Sequence, residues 1–162
     1  MNTDRVKQFI KDLEEAKSIR ADFVCMELWQ SGETKSDLKN FHACGNEACA
    51  AGFLALTQSF KDAGGVCCPG GAPEFQLADG SFRSGEFAFA EYFEISDSLG
   101  SAICADYCED DGESLDSVYE VMGGRPWQHW DAEDLIILMH AMLDGQLVGT
   151  ERYLPTEHDH ES

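Results

Sequence analysis

The sequence predicts a compact, mainly α-helical domain of about five to six helices, and three observations carry that reading. Apolar residues recur at three- and four-residue spacing along residues 4–20 and 41–65, and they crowd residues 135–143. Cap-forming side chains stand where these patterns begin, and glycines stand where two of them end. One segment, residues 66–82, breaks with helical spacing and reads as loop, and its Asp79-Gly80 pair can turn a small β-hairpin near residues 75–82.

Element by element, residues 4–20 place Val6, Phe9, Ile10, Leu13 and Ala16 on one helix face, with Thr3 or Asp4 as the cap. Residues 22–30 are apolar but short, a turn or extended segment that carries Met26 and Trp29 into the core. Residues 31–40 are polar loop. Cys44-Gly45-Asn46 makes a tight turn, and Asn46 caps a helix carrying Cys49, Phe53, Leu56 and Phe60 until Gly64-Gly65 stops it. The small residues Ala48, Ala51, Gly52 and Ala55 keep part of that helix slim enough for another element to approach. Ser84 caps a helix with Phe89, Ala90 and Phe93. Ser96 or Asp97 caps the next, with Leu99, Ala102, Ile103 and Tyr107. Ser114 caps a short helix with Leu115, Val118, Tyr119 and Met122. Asp131 and Asp134 form a variant capping box, with Trp130 and Leu135 as hydrophobic staple. Leu135 to Leu143 is apolar nearly all round, which predicts a central helix. The expected organisation is one helical domain over residues 1–149 and a polar, loose tail over residues 150–162.

Charge is the strongest compositional signal. The formal net charge is −20. Residues 1–61 hold eight basic and nine acidic side chains, whereas residues 62–162 hold three basic and 22 acidic ones. Only Arg83, Arg125 and Arg152 are basic in the latter stretch. Such a surface repels nucleic acid and anionic membranes and attracts cations and basic proteins. No apolar run approaches the ~18 residues of a bilayer-spanning helix. The N-terminus lacks the apolar stretch of a signal peptide, so the expected location is the cytoplasm. The seven cysteines are odd in number, which argues against a full disulfide framework and for reduced, buried thiols.

Met26-x-x-Trp29, followed by Cys44-Gly45-Asn46-x-x-Cys49-x-x-Gly52, resembles the hallmark of a group of small phage and bacterial proteins. In that group the pattern reads Met-x-x-Trp, then Cys-Gly-Thr-x-x-Cys-x-x-Gly opening a helix. Asn46 stands in place of the threonine, and both residue types cap helices. The helix beginning Trp130-Asp131-Ala132-Glu133-Asp134 is similar too. The resemblance implies a phage or mobile-element origin and brings no activity with it.

Four chemistries are to be weighed. His42, Cys44 and Cys49 are close in sequence, and Cys67, Cys68, Cys104 or Cys108 can complete a zinc site, although Cys-x4-Cys is a loose spacing. A catalytic thiol requires a nearby base. Cys44 before a helix and one of His42, His129 or His140 are the candidates, with His140 read as a core histidine; no catalytic centre is expected. Aligning Gly112 with an EF-hand loop glycine puts Tyr107 and Val118 at ligand positions, which excludes that motif. The acidic stretch is the remaining signal. Carboxylates three or four apart on a helix lie roughly 5–6 Å apart, a scale similar to phosphate spacing along a nucleic-acid strand. Glu91 with Glu94, Glu109 with Glu113, and Asp116 with Glu120 are such pairs. The expected function is therefore an acidic inhibitor of phage type that blocks a basic, nucleic-acid-binding host or defence protein by mimicry. Glu91, Glu94, Glu109, Asp110, Asp111, Glu113, Asp116 and Glu120 supply its face, and Trp127 an aromatic anchor. The alternative is a metal- or thiol-based binding module using Cys44, Cys49 and His42, with zinc as its cofactor.

Overall fold

In the computed structural model, which describes residues 1–105 and 112–152, α1 spans Thr3–Ile19. Its cap is Asn2, one residue before the expected candidates, and Asn2 Oδ1 accepts the Arg5 amide at 3.2 Å. The five apolar residues predicted for its inner face are all buried. A second helix, α2 (Leu38–Ala43), begins inside the polar stretch read as loop and runs past it, capped by the Asp37 carboxylate on the Asn40 amide at 2.9 Å.

The long helix expected in residues 41–65 is divided. Asn46 does not cap it. It is buried, and its amide donates to Gln30 Oε1 at 3.0 Å and to the Glu33 carbonyl at 2.9 Å. Helix α3 (Ala50–Leu54) begins instead at Cys49, whose Sγ accepts the Gly52 amide at 3.4 Å. Thr57 then ends the run. Its hydroxyl donates to the Leu54 carbonyl at 2.9 Å and accepts the Phe60 amide at 3.4 Å, so it caps a new helix, α4 (Gln58–Asp62). A short polar side chain that serves the backbone this way competes with helix continuation.

Three short strands follow: β1 (Gly65–Cys67), β2 (Pro73–Gln76) and β3 (Phe82–Ser84), paired antiparallel in the order β1-β2-β3. The hairpin around Asp79-Gly80 joins β2 to β3, with Gln76 opposite Phe82. Strand β1 was not legible, because Gly65-Val66-Cys67 is too short to show alternation. The protein is thus mainly helical with a small sheet.

Ser84 closes β3 rather than capping a helix, and α5 (Glu86–Phe93) starts from Gly85 at φ 63°. Helix α6 (Asp97–Cys104) is capped by Ser96, as expected. Helix α7 (Glu113–Val121) starts after Gly112. Ser114, the expected cap, donates to the Val148 carbonyl at 2.8 Å, while Val148 donates to Ser117 Oγ at 3.0 Å. These bonds, with Ser96 N–H on the Gly149 carbonyl at 2.8 Å, bind the segment after the last helix to α6 and α7. A 3₁₀ turn (Trp127–His129) precedes α8 (Ala132–Leu143). Its capping box is complete: Asp131 accepts the Asp134 amide at 3.0 Å, and Asp134 accepts the Asp131 amide at 2.9 Å. Eight α-helices are therefore present among the described residues, against the five to six expected. The division at Ala55–Thr57 and the helix at residue 38 account for much of the excess.

Helix α8 packs on α1 and α7. It is less enclosed than expected, since Ile137 is exposed, and His140, read as a core histidine, faces solvent on the same stripe as Glu133 and Asp144. The core centres on aromatic rings. Phe9 meets Phe53 at 5.8 Å and Phe93 at 5.3 Å between centroids, and Phe53 meets Phe23 at 5.0 Å, within the range of favourable ring pairing. Tyr107 lies outside the described residues.

Residues 23–31 are bound to residues 46–49 along their length. The Ala48 amide donates to the Phe23 carbonyl at 2.8 Å, the Cys25 amide to the Ala48 carbonyl at 3.0 Å, and the Cys49 amide to the Leu28 carbonyl at 2.8 Å. This brings the Trp29 carbonyl onto Gly52, where an added Cβ would lie 1.6 Å from the oxygen. Gly52→Ala should therefore destabilise the fold by about 3 kcal/mol or more, whereas Gly70→Ala, with nothing within 4 Å of the new carbon, should change it little. Thermal melts of the two variants check this.

Candidate functional site

The acidic residues singled out in the sequence separate into three groups. Glu113, Asp116 and Glu120 project from α7 and are all exposed. At positions i, i+3 and i+7 they share one helix face, while Ser114, Ser117 and Val118 of the same helix are buried. Glu91 and Glu94 behave differently. Glu91 pairs with Arg152 at 2.6 Å, and Glu94 lies beyond the end of α5 in a left-handed conformation at φ 55°. The Glu94 carboxylate accepts the Asn2 side-chain amide at 2.7 Å. These two carboxylates thus help hold the two ends of the described chain against α5, and they do not form the expected helical pair. Glu109, Asp110 and Asp111 lie outside the described residues.

The few arginines of this half are engaged in the same way. Arg83 binds Asp97 at 2.6 Å, Arg152 binds Glu91, and Arg125 approaches Asp134 at 3.4 Å. Among the described residues, no ion pair includes Asp116 or Glu120. Burial raises the Asp134 carboxyl pKa, and its bond from the Asp131 amide works against that rise.

The three candidate metal ligands are not gathered. Cys44 is the exposed C-cap of α2, at the negative end of that helix, so no helix N-terminus supports it as a nucleophile. Cys49 points into the core. His42 lies against Phe41 and Phe23, with ring centroids 5.2 and 6.0 Å away, and its Nδ1 is buried with no hydrogen-bond partner among the described residues. Burial, and then the Arg20 charge, lower its pKa and keep the ring neutral near pH 7. No group of three His, Cys, Asp or Glu side chains among the described residues is arranged to hold a metal ion.

Two concavities were not foreseen. A groove of about 390 Å³ between α1 and α2 is lined by Ala16, Ile19, Leu38 and His42, with Asp12 and Lys39 at its sides. Burial raises the Asp12 pKa. A crevice of about 480 Å³ is lined by Met26, Trp29, Cys49, Glu86, Cys104 and Trp127. Three of these, Met26, Trp29 and Cys49, lie in the Met-x-x-Trp and Cys-x4-Cys spacings of residues 26–49. Their shared spacing was the only signal, and it gave no hint that Glu86, Cys104 and Trp127 would join them. The Trp127 indole N–H donates to the Ile103 carbonyl at 3.2 Å, which fixes its ring beside the end of α6.

No known protein family matches the chain, and no curated protein or solved structure shows significant similarity to it. No helix among the described residues is long and apolar enough to cross a membrane.

Burial pushes the Cys49 thiol from the ordinary 9.0 up to about 11, and burial pushes Cys104 well above the ordinary value. In the folded protein both should resist iodoacetamide at pH 8 while exposed Cys44 reacts, as peptide mass mapping would read. The pH dependence of stability follows. The unfolded Cys49 thiol releases its proton near 9 and the folded one near 11, so the unfolded state binds fewer protons in between. Stability should be unaffected by this group below pH 9 and fall as pH rises from 9 to 11. Cys49→Ser keeps a capping side chain and should flatten that fall in denaturant titrations, leaving the part contributed by Cys104.

Proposed function

We propose that this protein binds the basic surface of a nucleic-acid-binding protein and blocks it by presenting carboxylates in place of phosphates. The observation that supports this most is the exposed stripe of Glu113, Asp116 and Glu120 on α7, in a half of the chain whose three arginines each have a carboxylate partner elsewhere. Three carboxylates on one short helix repel one another, at about 0.2–0.5 kcal/mol for each helical neighbour pair. That cost is offset when a cationic surface neutralises them. The same row steers a basic partner during encounter and repels nucleic acid itself.

On this reading the protein acts by occupancy rather than catalysis, in the cytoplasm, and its binding weakens with salt. The resemblance of Met26 to Gly52 to phage proteins supports a host or defence protein as the target. Compared with the expected face, α7 carries the contact and Glu91 and Glu94 serve the fold. Glu109, Asp110 and Asp111, outside the described residues, precede α7 in sequence and are proposed to take part in the same contact.

Capture from host lysate at low and high salt tests this. Nucleic-acid-binding proteins should be retained at low salt and released at high salt. The triple variant Glu113→Lys, Asp116→Lys, Glu120→Lys should lose about tenfold or more in affinity for them, as expected for reversal of steering and contact charges. Capture of proteins that bind no nucleic acid, or retention indifferent to salt and to the triple variant, would refute the reading.

A further inference from the structure

Cys25 and Cys49 occupy matching positions on two segments that run side by side. Val24 pairs with Ala48 in a parallel bridge. In it the Ala48 amide donates to the Phe23 carbonyl at 2.8 Å, and the Cys25 amide to the Ala48 carbonyl at 3.0 Å. The two cysteines are the residues that follow this pair, one on each segment. Matching positions on parallel neighbours share a face and lie about 5 Å apart, inside the roughly 4.4–6.8 Å between Cα atoms that a disulfide spans. The Cys49 amide also donates to the Leu28 carbonyl at 2.8 Å, so the turn after Cys25 is held against Cys49. A charge on the Cys25 sulfur is felt at Cys49, which agrees with their closeness.

The exposures of these thiols differ in a way that suits stepwise oxidation. Cys25 is partly exposed, whereas Cys49 is 1% exposed. Cys49 is also fixed in place, because its Sγ accepts the Gly52 amide at the head of α3. Cys104 lies near Cys49 as well, but it is 3% exposed. Of the three thiols, Cys25 is therefore the one that a reagent in solution reaches. All three are free.

We propose that Cys25 and Cys49 are a redox-sensitive pair that closes into a disulfide when the protein meets a low-molecular-weight disulfide. The Cys25 thiolate attacks one sulfur of the reagent, and the reagent's other sulfur leaves as a thiolate. Cys25 then carries a mixed disulfide. Cys49 gives its proton to water, and its sulfur attacks Cys25 Sγ. The bond from Cys25 to the reagent breaks, and the second thiolate leaves and takes up a proton. Two protein thiols become one disulfide, one reagent disulfide becomes two thiols, and two electrons pass to the reagent. Burial holds Cys49 protonated, which makes the second step the slower one. The bridge staples the segment carrying Met26 and Trp29 to the start of α3, and a thiol reductant reopens it. This pairing is independent of the acidic face on α7.

The probe is oxidised glutathione, added to the full-length reduced protein. Remaining thiols are then blocked, and the chain is digested at lysine, arginine and glutamate. Cleavage after Glu47 separates Cys44 from Cys49. Mass mapping should find Cys25 joined to Cys49, and dithiothreitol should undo the bond. Cys49→Ala should stop at glutathione on Cys25, and Cys25→Ser should leave Cys49 reduced. The bridged protein should melt roughly 5–10 °C above the reduced one, the order expected of an unstrained cross-link over a loop of this length. The probe should produce no such rise in Cys25→Ser. Four outcomes overturn the pairing: Cys25 left unmodified, Cys25 joined to Cys44 or Cys104, glutathione retained on Cys25 of the unsubstituted protein, or a Cys25–Cys49 bond that fails to raise the melting temperature.

Discussion

The contact between the Trp29 carbonyl and Gly52 is the constraint on which the rest of this half of the molecule depends. It forms because residues 23–31 run alongside residues 46–49 and exchange backbone hydrogen bonds with them. A side chain at position 52 would force the two segments apart. Their closeness seats Phe23 against Phe53, and Phe53 in turn against Phe9 of α1. It also sets the Trp29 ring over the start of α5, where the crevice opens. The same glycine therefore serves packing and the candidate site.

Short polar side chains are used in the interior as structural joints. Thr57 divides what would be one helix into α3 and α4, and the second of these brings Phe60 under β2, 5.9 Å from Phe75. Asn46 spends its side-chain amide on Gln30 and Glu33, so the loop before α2 is anchored from the far side. Ser114 and Ser117 hold the segment after α8 in place. Each side chain satisfies buried backbone groups that would otherwise be costly. At Thr57 and Asn46 the helix boundaries also differ from those that local propensity alone sets.

Charge is divided by the fold as well as by the sequence. The acidic half spends its three arginines on Glu91, Asp97 and Asp134, pairs that hold α5, α6 and the cap of α8. What remains on α7 has no such neighbour among the described ion pairs for Asp116 and Glu120. Surface pairs of this sort contribute little to stability, so the main consequence of the arrangement is electrostatic. Glu113, Asp116 and Glu120 form a row on the exposed face of α7.

By itself the sequence determined the inner face of α1, the β2–β3 hairpin, the capping box of α8 and the concentration of acidic residues after position 61. Each depends on residues within a few positions of one another, where spacing and cap chemistry decide the outcome. It could not determine that Asn46 and Ser114 would reach across the fold instead of capping, because their partners lie 13 to 34 residues away. Nor could it show that Glu91 would meet Arg152, that His140 would face solvent, or that Trp29, Glu86 and Trp127 would border one crevice. Those are long-range juxtapositions. Only the packing of α1, α3, α5 and α6 around the phenylalanine core decides them, since burial and close approach depend on which elements share a surface.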